Sequence, residues 1–323
     1  MKALACLVTA CGLVLASGQP ARADDNDLVL ARLAHMGSMG QVVPDNEAFR
    51  SFASELGVVF APRNLAPADT LGYSGFQFST EFSFTSISSD KAFWCATEQS
   101  TSCDAGFSRS SIIPTFGLFA RKGFWFPLPS FEIGAGAVHI LSSRLWSAQA
   151  YAKFALQEGY HGLPIPSIAV RGAVSRLLGI EQLDLTDASL DISISKRFSV
   201  AGTFSIAPYL GYAFLWIIPR SQVIDKTPDV SPITTPGDIV NNFTFPDQES
   251  ITRHRVFAGF KLKYYVFAFT AEVDLAFSGS SVDNREGTTM ACSAAPMDQK
   301  GNCDATDQAG VQAAYSFSAS LDF

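Results

Sequence analysis

The sequence has few charges and no long apolar run beyond its first twenty residues. No later stretch approaches the ~18 apolar residues that a membrane-spanning helix requires. Only 16% of its 323 residues are charged, although 47% are hydrophobic and 27 are Phe. Abundant apolar residues without a spanning helix are typical of strands in which every second side chain faces an apolar environment. A water-soluble protein with a large core is the alternative.

The sequence also lacks the usual signatures of catalysis and of metal or cofactor binding. It has 4 His, and it contains no Gly-x-Ser-x-Gly, no His-Glu-x-x-His and no phosphate-binding loop. We therefore expect no enzymatic activity, no cofactor and no metal site. A protease-like or lipase-like enzyme is one alternative, for which His139 and His254 are the candidates.

Residues 1–23 are typical of a secretory signal peptide. Lys2 gives a positive start, an apolar stretch follows, and Ala21-Arg22-Ala23 offers small residues for cleavage. Removing Lys2 and Arg22 from the 23 basic residues leaves 21 against 30 acidic ones, a formal charge of −9. This excess of acidic residues argues against a nucleic-acid partner.

Four of the six cysteines lie beyond the predicted signal peptide, in two polar segments. An even number of cysteines in an exported protein indicates disulfides. Pairing Cys95 with Cys103 and Cys292 with Cys303 costs the least loop-closure entropy among the three possible connectivities. A zinc site is disfavoured because neither spacing fits and no histidine lies nearby.

Residues 24–69 do not alternate in polarity, and two short helices are expected there. Apolar residues of segment 45–56 recur at helical spacing, Asp45 can cap the start, and Gly57 can end the turn. Segment 25–36 is the other expected helix. This helical arm is either periplasmic or a plug in the lumen of a barrel, and the sequence does not choose.

From residue 71 onwards the polarity repeats with a period of two, which indicates strands with one apolar and one polar face. The last segment shows it most clearly, because Tyr315, Phe317 and Leu321 alternate with serines and the chain stops at Phe323. Ten strands are expected, over residues 71–86, 112–121, 131–141, 145–157, 168–178, 183–198, 202–217, 252–264, 266–277 and 309–323. If Asp24 and Phe323 lie on the same side, the three long loops fall together on the other.

The chain resembles Gram-negative outer-membrane β-barrel proteins over residues 70–323. The alternating strands, the phrase Ile206-Ala-Pro-Tyr-Leu-Gly-Tyr and the terminal Phe323 carry this resemblance. It implies an all-β fold, a transmembrane antiparallel up-and-down barrel of about ten strands (eight to twelve), located in the outer membrane. Membrane lipid, lipopolysaccharide and, through Phe323 as assembly signal, the barrel-assembly machinery are the partners it implies.

Charged residues on the polar parity are expected to line the lumen. Arg253, Arg255, Lys261 and Lys263 should face Glu272 and Asp274 across a tight hairpin. The other residues expected in the lumen are Glu81, Lys153, Arg171 and Asp191. These charges either form a selective constriction or pair with each other and fill the lumen. Because ten strands enclose only slightly more room than eight, filling is favoured.

The resulting hypothesis is a non-enzymatic outer-membrane barrel with a structural, surface-recognition or small-solute role. A narrow selective channel or porin is the first alternative. The sequence leaves the solute, the ligand and the oligomeric state open.

Overall fold

The structure, a computed structural model, describes residues 24–99, 103, 109–124, 130–158, 165–200, 203–227, 241–284 and 290–323. The predicted signal peptide lies outside these residues. No helix in the described part of the chain is both long enough and apolar enough to cross a membrane.

Ten long antiparallel strands form the body of the molecule. In chain order they are β1 (Phe76–Ser86), β2 (Ile112–Phe124), β3 (Phe131–Ile140), β4 (Trp146–Gln157), β5 (Ser167–Leu178), β6 (Leu183–Ser195), β7 (Phe204–Ser221), β8 (Ile251–Tyr264), β9 (Phe267–Ala276) and β10 (Gln312–Asp322). Short strands at Ala34–Met36, Val42–Pro44, Phe198–Val200, Ile224–Asp225 and Asn242–Phe243 accompany them. The period-two pattern therefore located every long strand.

Each long strand pairs with its neighbours in sequence, and β10 pairs with β1 to close the barrel. Phe76 and Phe323 complete this last ladder by exchanging two backbone hydrogen bonds of 3.0 and 2.8 Å. A closed barrel has no unpaired strand edge, so its backbone polar groups are satisfied within the sheet. The predicted ten-stranded antiparallel barrel is confirmed.

The two faces of the wall differ in polarity, as β1 illustrates. Phe78, Phe82 and Phe84 point outward and are exposed, whereas Ser79 and Glu81 point inward and are buried. An exposed belt of Phe, Leu, Val and Ile surrounds the barrel. Contact of such a belt with water is unfavourable, whereas contact with lipid is favourable.

The three longest connections lie at one end of the barrel. These are β1–β2, β7–β8 and β9–β10, and their end, which also holds the short connections β3–β4 and β5–β6, is called here the long-loop end; the other is called the short-turn end. Disulfides join Cys95 to Cys103 and Cys292 to Cys303 within two of the long connections. The predicted pairing is confirmed.

Helix α1 (Asn46–Phe60) lies inside the barrel at the long-loop end. The Asp45 carboxylate caps it by accepting the Ala48 N–H at 3.0 Å. The prediction that Gly57 ends the helix was wrong, since three more residues follow it. A Cβ at Gly57 would come within 2.6 Å of the Ile217 side chain of β7, so this glycine lets the helix approach the wall.

The other predicted helix, over residues 25–36, reduces to one 3₁₀ turn at Leu30–Leu33. Ala34–Met36 instead pairs with Val42–Pro44 as a small antiparallel ribbon. Gly40, with a φ of 80°, makes the reversal between the two strands possible. In residues 34–44 a two-stranded ribbon therefore forms where a longer helix was expected.

One face of α1 packs in an apolar core at the long-loop end. Phe49, Phe52 and Leu56 of α1 pack in one buried cluster with Trp94 and with inward-facing residues of the surrounding strands. Those wall residues include Ile113, Ile140, Leu177, Leu185, Leu215, Ile217 and Ile251. The barrel thus holds a hydrophobic core at this end.

The first described residues also lie at the long-loop end. The Asn26 N–H donates to Ser142 O, and the Val29 N–H donates to Ala96 O, both at 2.9 Å. Ser142 and Ala96 belong to connections at that end. Asp24 and Phe323 therefore lie at opposite ends of the barrel, so the condition that both lie on one side is not met.

The charge of Asp45 stabilises α1 in a pH-dependent way. Burial raises the pKa of this carboxyl, but hydrogen bonds from His35 and the Ala48 N–H and the charge of Lys300 outweigh it, so the pKa lies below its usual 3.8. A depressed carboxyl pKa contributes stability that is present at neutral pH and lost as pH falls through the folded-state pKa.

We expect Asp45→Asn, which keeps a capping oxygen, to weaken α1 by about 1 kcal/mol or less at pH 7. The wild type and the variant should converge as the pH falls through the folded-state pKa of Asp45, because protonation removes the same charge. Hydrogen exchange of the α1 amides as a function of pH measures the effect. A difference that persists at low pH would contradict the assignment.

Deleting Phe323 should reduce the amount of folded barrel, because β10 then loses its last two backbone bonds to β1. Phe323→Leu keeps those bonds and serves as the matched control. Folded protein is measured as the band that shifts in gel mobility on boiling. Wild-type levels of the truncated protein would argue against this role of Phe323.

Candidate functional site

An extended segment, residues 62–71, runs through the lumen from the end of α1 to β1; it is called the strap here. Its residues are buried or half-buried. Pro62 and Pro67 have no N–H, and the backbone of the wall is already paired within the sheet. The strap therefore depends on side chains for its hydrogen bonds, and the candidate site is the place where they meet it.

Cationic side chains of the wall donate to the strap carbonyls. Arg255 bonds to Pro62 O at 2.7 Å, and Arg171 bonds to Arg63 O at 2.6 Å. Nearer the short-turn end, Arg121 donates to Leu65 O at 3.1 Å, while Lys153 donates to Asp69 O at 3.0 Å and to Pro67 O at 3.3 Å. Four cations thus satisfy carbonyls along the whole strap.

Carboxylates and a hydroxyl of the barrel accept from the strap N–H groups. Glu272 accepts the N–H of Asn64 at 3.2 Å and that of Leu65 at 2.9 Å. The remaining acceptors are Ser195 for Ala68 at 3.0 Å, Glu158 for Thr70 at 2.7 Å and Glu132 for Leu71 at 3.0 Å. Between the two prolines and beyond them, side chains replace the partner strand that the strap lacks.

The wall charges are also paired with one another. Arg121 lies 2.8 Å from Glu81, Lys153 lies 3.2 Å from Glu132, and Arg171 donates to Asp191 at 2.6 Å. Each of these cations thus bonds to a carboxylate and to the strap. A buried charge is costly unless it is both paired and hydrogen-bonded, and these groups meet that condition.

Arg63 of the strap directs its side chain towards β1 and β9. Its Nη1 lies 3.7 Å from Asp274, and the Nε of Arg255 lies 3.4 Å from the same carboxylate. Arg63 also donates to the Thr85 hydroxyl at 2.9 Å. The Arg63 side chain therefore ties the strap to β1 and β9.

The expected charge ladder between β8 and β9 does not form. In the actual register Asp274 lies opposite Phe257, and Glu272 lies opposite Gly259. Of the four β8 cations, only Arg255 reaches a carboxylate of β9, that of Asp274. Glu272 is engaged instead by the strap and by the Tyr209 hydroxyl at 2.8 Å. Of the predicted pairing across this hairpin, the structure shows the Arg255–Asp274 contact alone, and the pairing expected of Arg253, Lys261, Lys263 and Glu272 was wrong.

The other three cations of β8 have different partners. Arg253 lies among the α1 contacts, where it donates to the Ser54 hydroxyl at 2.8 Å and to Phe277 O and Gly310 O, both at 2.9 Å. Lys261 and Lys263 lie 2.7 and 3.5 Å from Asp322 of β10. Placed in this way, all ten residues expected in the lumen belong to the inner face.

Sequence reasoning missed several residues that hold the strap, notably Arg121, Glu132 and Glu158. Arg121 and Glu132 share the inward parity of their strands, so the same rule that selected Glu81 would have found them. Glu158 lies in a connection, where parity gives no signal. Tyr151 and Tyr209, which bond to Glu132 at 2.7 Å and to Glu272, also share the inward parity of their strands.

The candidate catalytic histidines lie on the outer wall. His139 bonds to Leu145 O at 3.0 Å and stacks on Trp146, and His254 bonds to the Tyr212 hydroxyl. His161 lies outside the described residues. In the described ranges, no group of three or more His, Cys, Asp or Glu residues is arranged to hold a metal ion.

No family model and no curated protein matches the chain. Solved structures with a similar arrangement include Ail, the attachment invasion locus protein of Yersinia pestis, at 10% identity over 78% of this chain and 99% of that one, with a TM-score of 0.28. OmpT, an outer-membrane protein of Vibrio cholerae, matches at 10% identity over 77% of both chains, with a TM-score of 0.27. A Pseudomonas aeruginosa FadL homologue matches at 10% identity over 92% and 98%, with a TM-score of 0.22.

The barrel itself decides the class. A closed antiparallel barrel with an even number of strands, an apolar outer belt and a polar interior is the architecture of Gram-negative outer-membrane proteins. This chain is an outer-membrane β-barrel. Short turns of such barrels face the periplasm and long loops face the outside, so we expect the long-loop end to be extracellular.

Substituting Glu272 tests whether the wall holds the strap. Glu272→Ala leaves the N–H groups of Asn64 and Leu65 buried without acceptors, and should destabilise the barrel by on the order of 2–4 kcal/mol. The urea midpoint in detergent measures the loss. The exposed Glu181→Ala is the matched control, and an equal effect of both substitutions would refute the role of Glu272.

Proposed function

We propose that this outer-membrane β-barrel is a non-enzymatic protein that fills its lumen with its own N-terminal segment and presents a braced surface at the cell exterior. Its role is structural or one of surface recognition. The observation that carries the proposal is the strap, whose backbone is bonded by wall side chains along its length. The proposed lipid partners, lipopolysaccharide included, contact the apolar belt.

The filled lumen favours this role over that of an open pore. A barrel of about eight strands is already filled by its own side chains, and ten strands leave only slightly more room. Here that room is taken by α1 at the long-loop end and by the strap below it. A general porin needs sixteen or more strands to leave an aqueous channel.

The extracellular end has the features of a fixed platform. Ser38 donates from its hydroxyl and its N–H to Asp298 of the β9–β10 connection, at 2.8 and 3.2 Å. Arg32 bonds to Thr97 O of the β1–β2 connection at 2.5 Å. With the two disulfides, these bonds join the N-terminal residues to separate long loops, and such preorganisation lowers the entropic cost of binding a partner.

The positions of the histidines support a non-enzymatic role. A nucleophile needs a base within hydrogen-bond reach and a third group to orient that base. His139 is engaged by a backbone carbonyl, and the partner of His254 is a tyrosine on the lipid-facing wall. The enzyme alternative would require one of them to face a substrate cavity.

A narrow selective channel is the second candidate, favoured by the charged cavity at the short-turn end. Passage would require the strap to leave its place. Because more than ten hydrogen bonds between wall and strap would break in that movement, the closed state is the one we propose.

The surface platform predicts the orientation of the arm. An epitope tag inserted between Ala23 and Asp24 should be labelled by antibody on intact cells, since Asp24 lies at the extracellular end. A tag in connection 125–130, at the short-turn end, is the matched control and should be labelled only after permeabilisation. Labelling of both tags only after permeabilisation would place the arm in the periplasm and refute the proposal.

Planar bilayers test the closed lumen. Full-length protein should give no discrete conductance, whereas a variant lacking residues 24–69 should conduct if it still shows a heat-modifiable band. A disulfide between Ala68→Cys and Ala169→Cys, two residues of one buried cluster, locks the strap to β5. Conductance of the full-length protein that this lock abolishes would favour the channel.

A further inference from the structure

A solvent-reaching cavity lies at the short-turn end, between the strap and the inner faces of β1 to β4, β7, β8 and β10. Its volume is about 170 Å³. A cavity of this size has room for several waters or for one small ion.

Cations outnumber carboxylates around this cavity. Its charged lining consists of five cations and three carboxylates. The cations are Arg121, Lys153, Arg197, Lys261 and Lys263, and the carboxylates are those of Asp69, Glu132 and Asp322. Lys153 is paired with Glu132, and Arg121 is paired with Glu81 outside the cavity. Three cations therefore remain for two carboxylates.

Two of these cations share one carboxylate oxygen. Lys261 and Lys263 lie 2.7 and 3.5 Å from Oδ2 of Asp322. The other oxygen of Asp322 accepts from the Gln77 amide at 2.5 Å. Asp322 thus compensates one positive charge and has no further oxygen to offer, whereas each ammonium carries three donors.

The strands beside the two lysines add no negative charge. Ala207 and Thr270 lie opposite Lys261, and Ser205 and Ala268 lie opposite Lys263. Two of these small residues, Ser205 and Ala207, line the cavity, so they provide the space in front of the ammonium groups. The neighbourhood combines room with uncompensated positive charge.

The third cation stands at the opening of the cavity. Arg197 lies 3.0 Å from Asp69 of the strap, and its side chain is 51% exposed. The Lys263 side chain is 41% exposed. Solvent ions therefore reach both groups from the short-turn end.

We propose that this cavity binds a small oxyanion from the periplasm, either inorganic phosphate or a short carboxylate. Lys263 and Arg197 contact the anion, and Lys261 adds its charge from the cavity wall. Charge-assisted hydrogen bonds to such oxygens are shorter and stronger than neutral ones. The excess of a single charge favours a small anion over a polyanion and makes binding sensitive to salt.

Equilibrium dialysis of the full-length barrel in nonionic detergent tests the proposal, with phosphate and succinate as separate probes. At least one probe should bind saturably at low salt. Lys263→Gln should weaken it about tenfold, the loss of one charged contact. Adding Arg197→Gln should abolish detectable binding.

Lys122→Gln is the matched control. Lys122 lies at the same end of the barrel and donates to Ser74 O at 2.9 Å, but its side chain points outward from β2. It should leave binding unchanged. Binding of only one probe identifies the source of the oxyanion; binding of neither, or equal weakening by Lys122→Gln and Lys263→Gln, would overturn the proposal. A heat-modifiable band shows that each variant is folded.

Discussion

The structure depends on the need of a buried, extended backbone for hydrogen-bond partners. Barrel closure uses the backbone groups of the wall within the sheet, so residues 62–71 find no strand to pair with. Their carbonyls and N–H groups are satisfied by arginines, lysines and glutamates of the inner face instead. An unsatisfied buried amide costs roughly 1–3 kcal/mol, and a strap with several of them would not stay in the lumen.

The same requirement explains why the interior has two layers. Helix α1 satisfies its own backbone, so the wall around it can be apolar, and Ile113, Leu185 and Ile217 pack against Phe52 and its neighbours. Where the chain leaves the helix at Phe60 and becomes extended, the wall becomes charged. The conformation of the internal segment thus accounts for much of this change in polarity, and the charged wall residue beside α1, Arg253, bonds to a side chain of the helix, the Ser54 hydroxyl.

The strands and the disulfides could be predicted because they follow from local patterns: a period of two, and cysteines close in sequence. The path of the arm could not, since alternation tells which side chains face inward but not what they meet there. The apolar layer could be predicted in part. Residues 214–217 are apolar at every position, which indicates a strand whose inner face is apolar as well as its outer face. The prediction of ion pairs between β8 and β9 failed because the partners of Glu272 depend on the register of the strands and on the strap. The polarity pattern shows neither of these.

The threaded strap also has a mechanical consequence. A force that pulls residues 24–45 outward acts along the barrel axis, whereas the bonds of the strap run crosswise to the wall from Pro62 to Leu71. Such bonds are loaded together in shear, not opened one after another. Behind them the chain continues directly into β1, which is held on both sides by β10 and β2. A force applied to residues 24–45 is therefore resisted by the whole barrel.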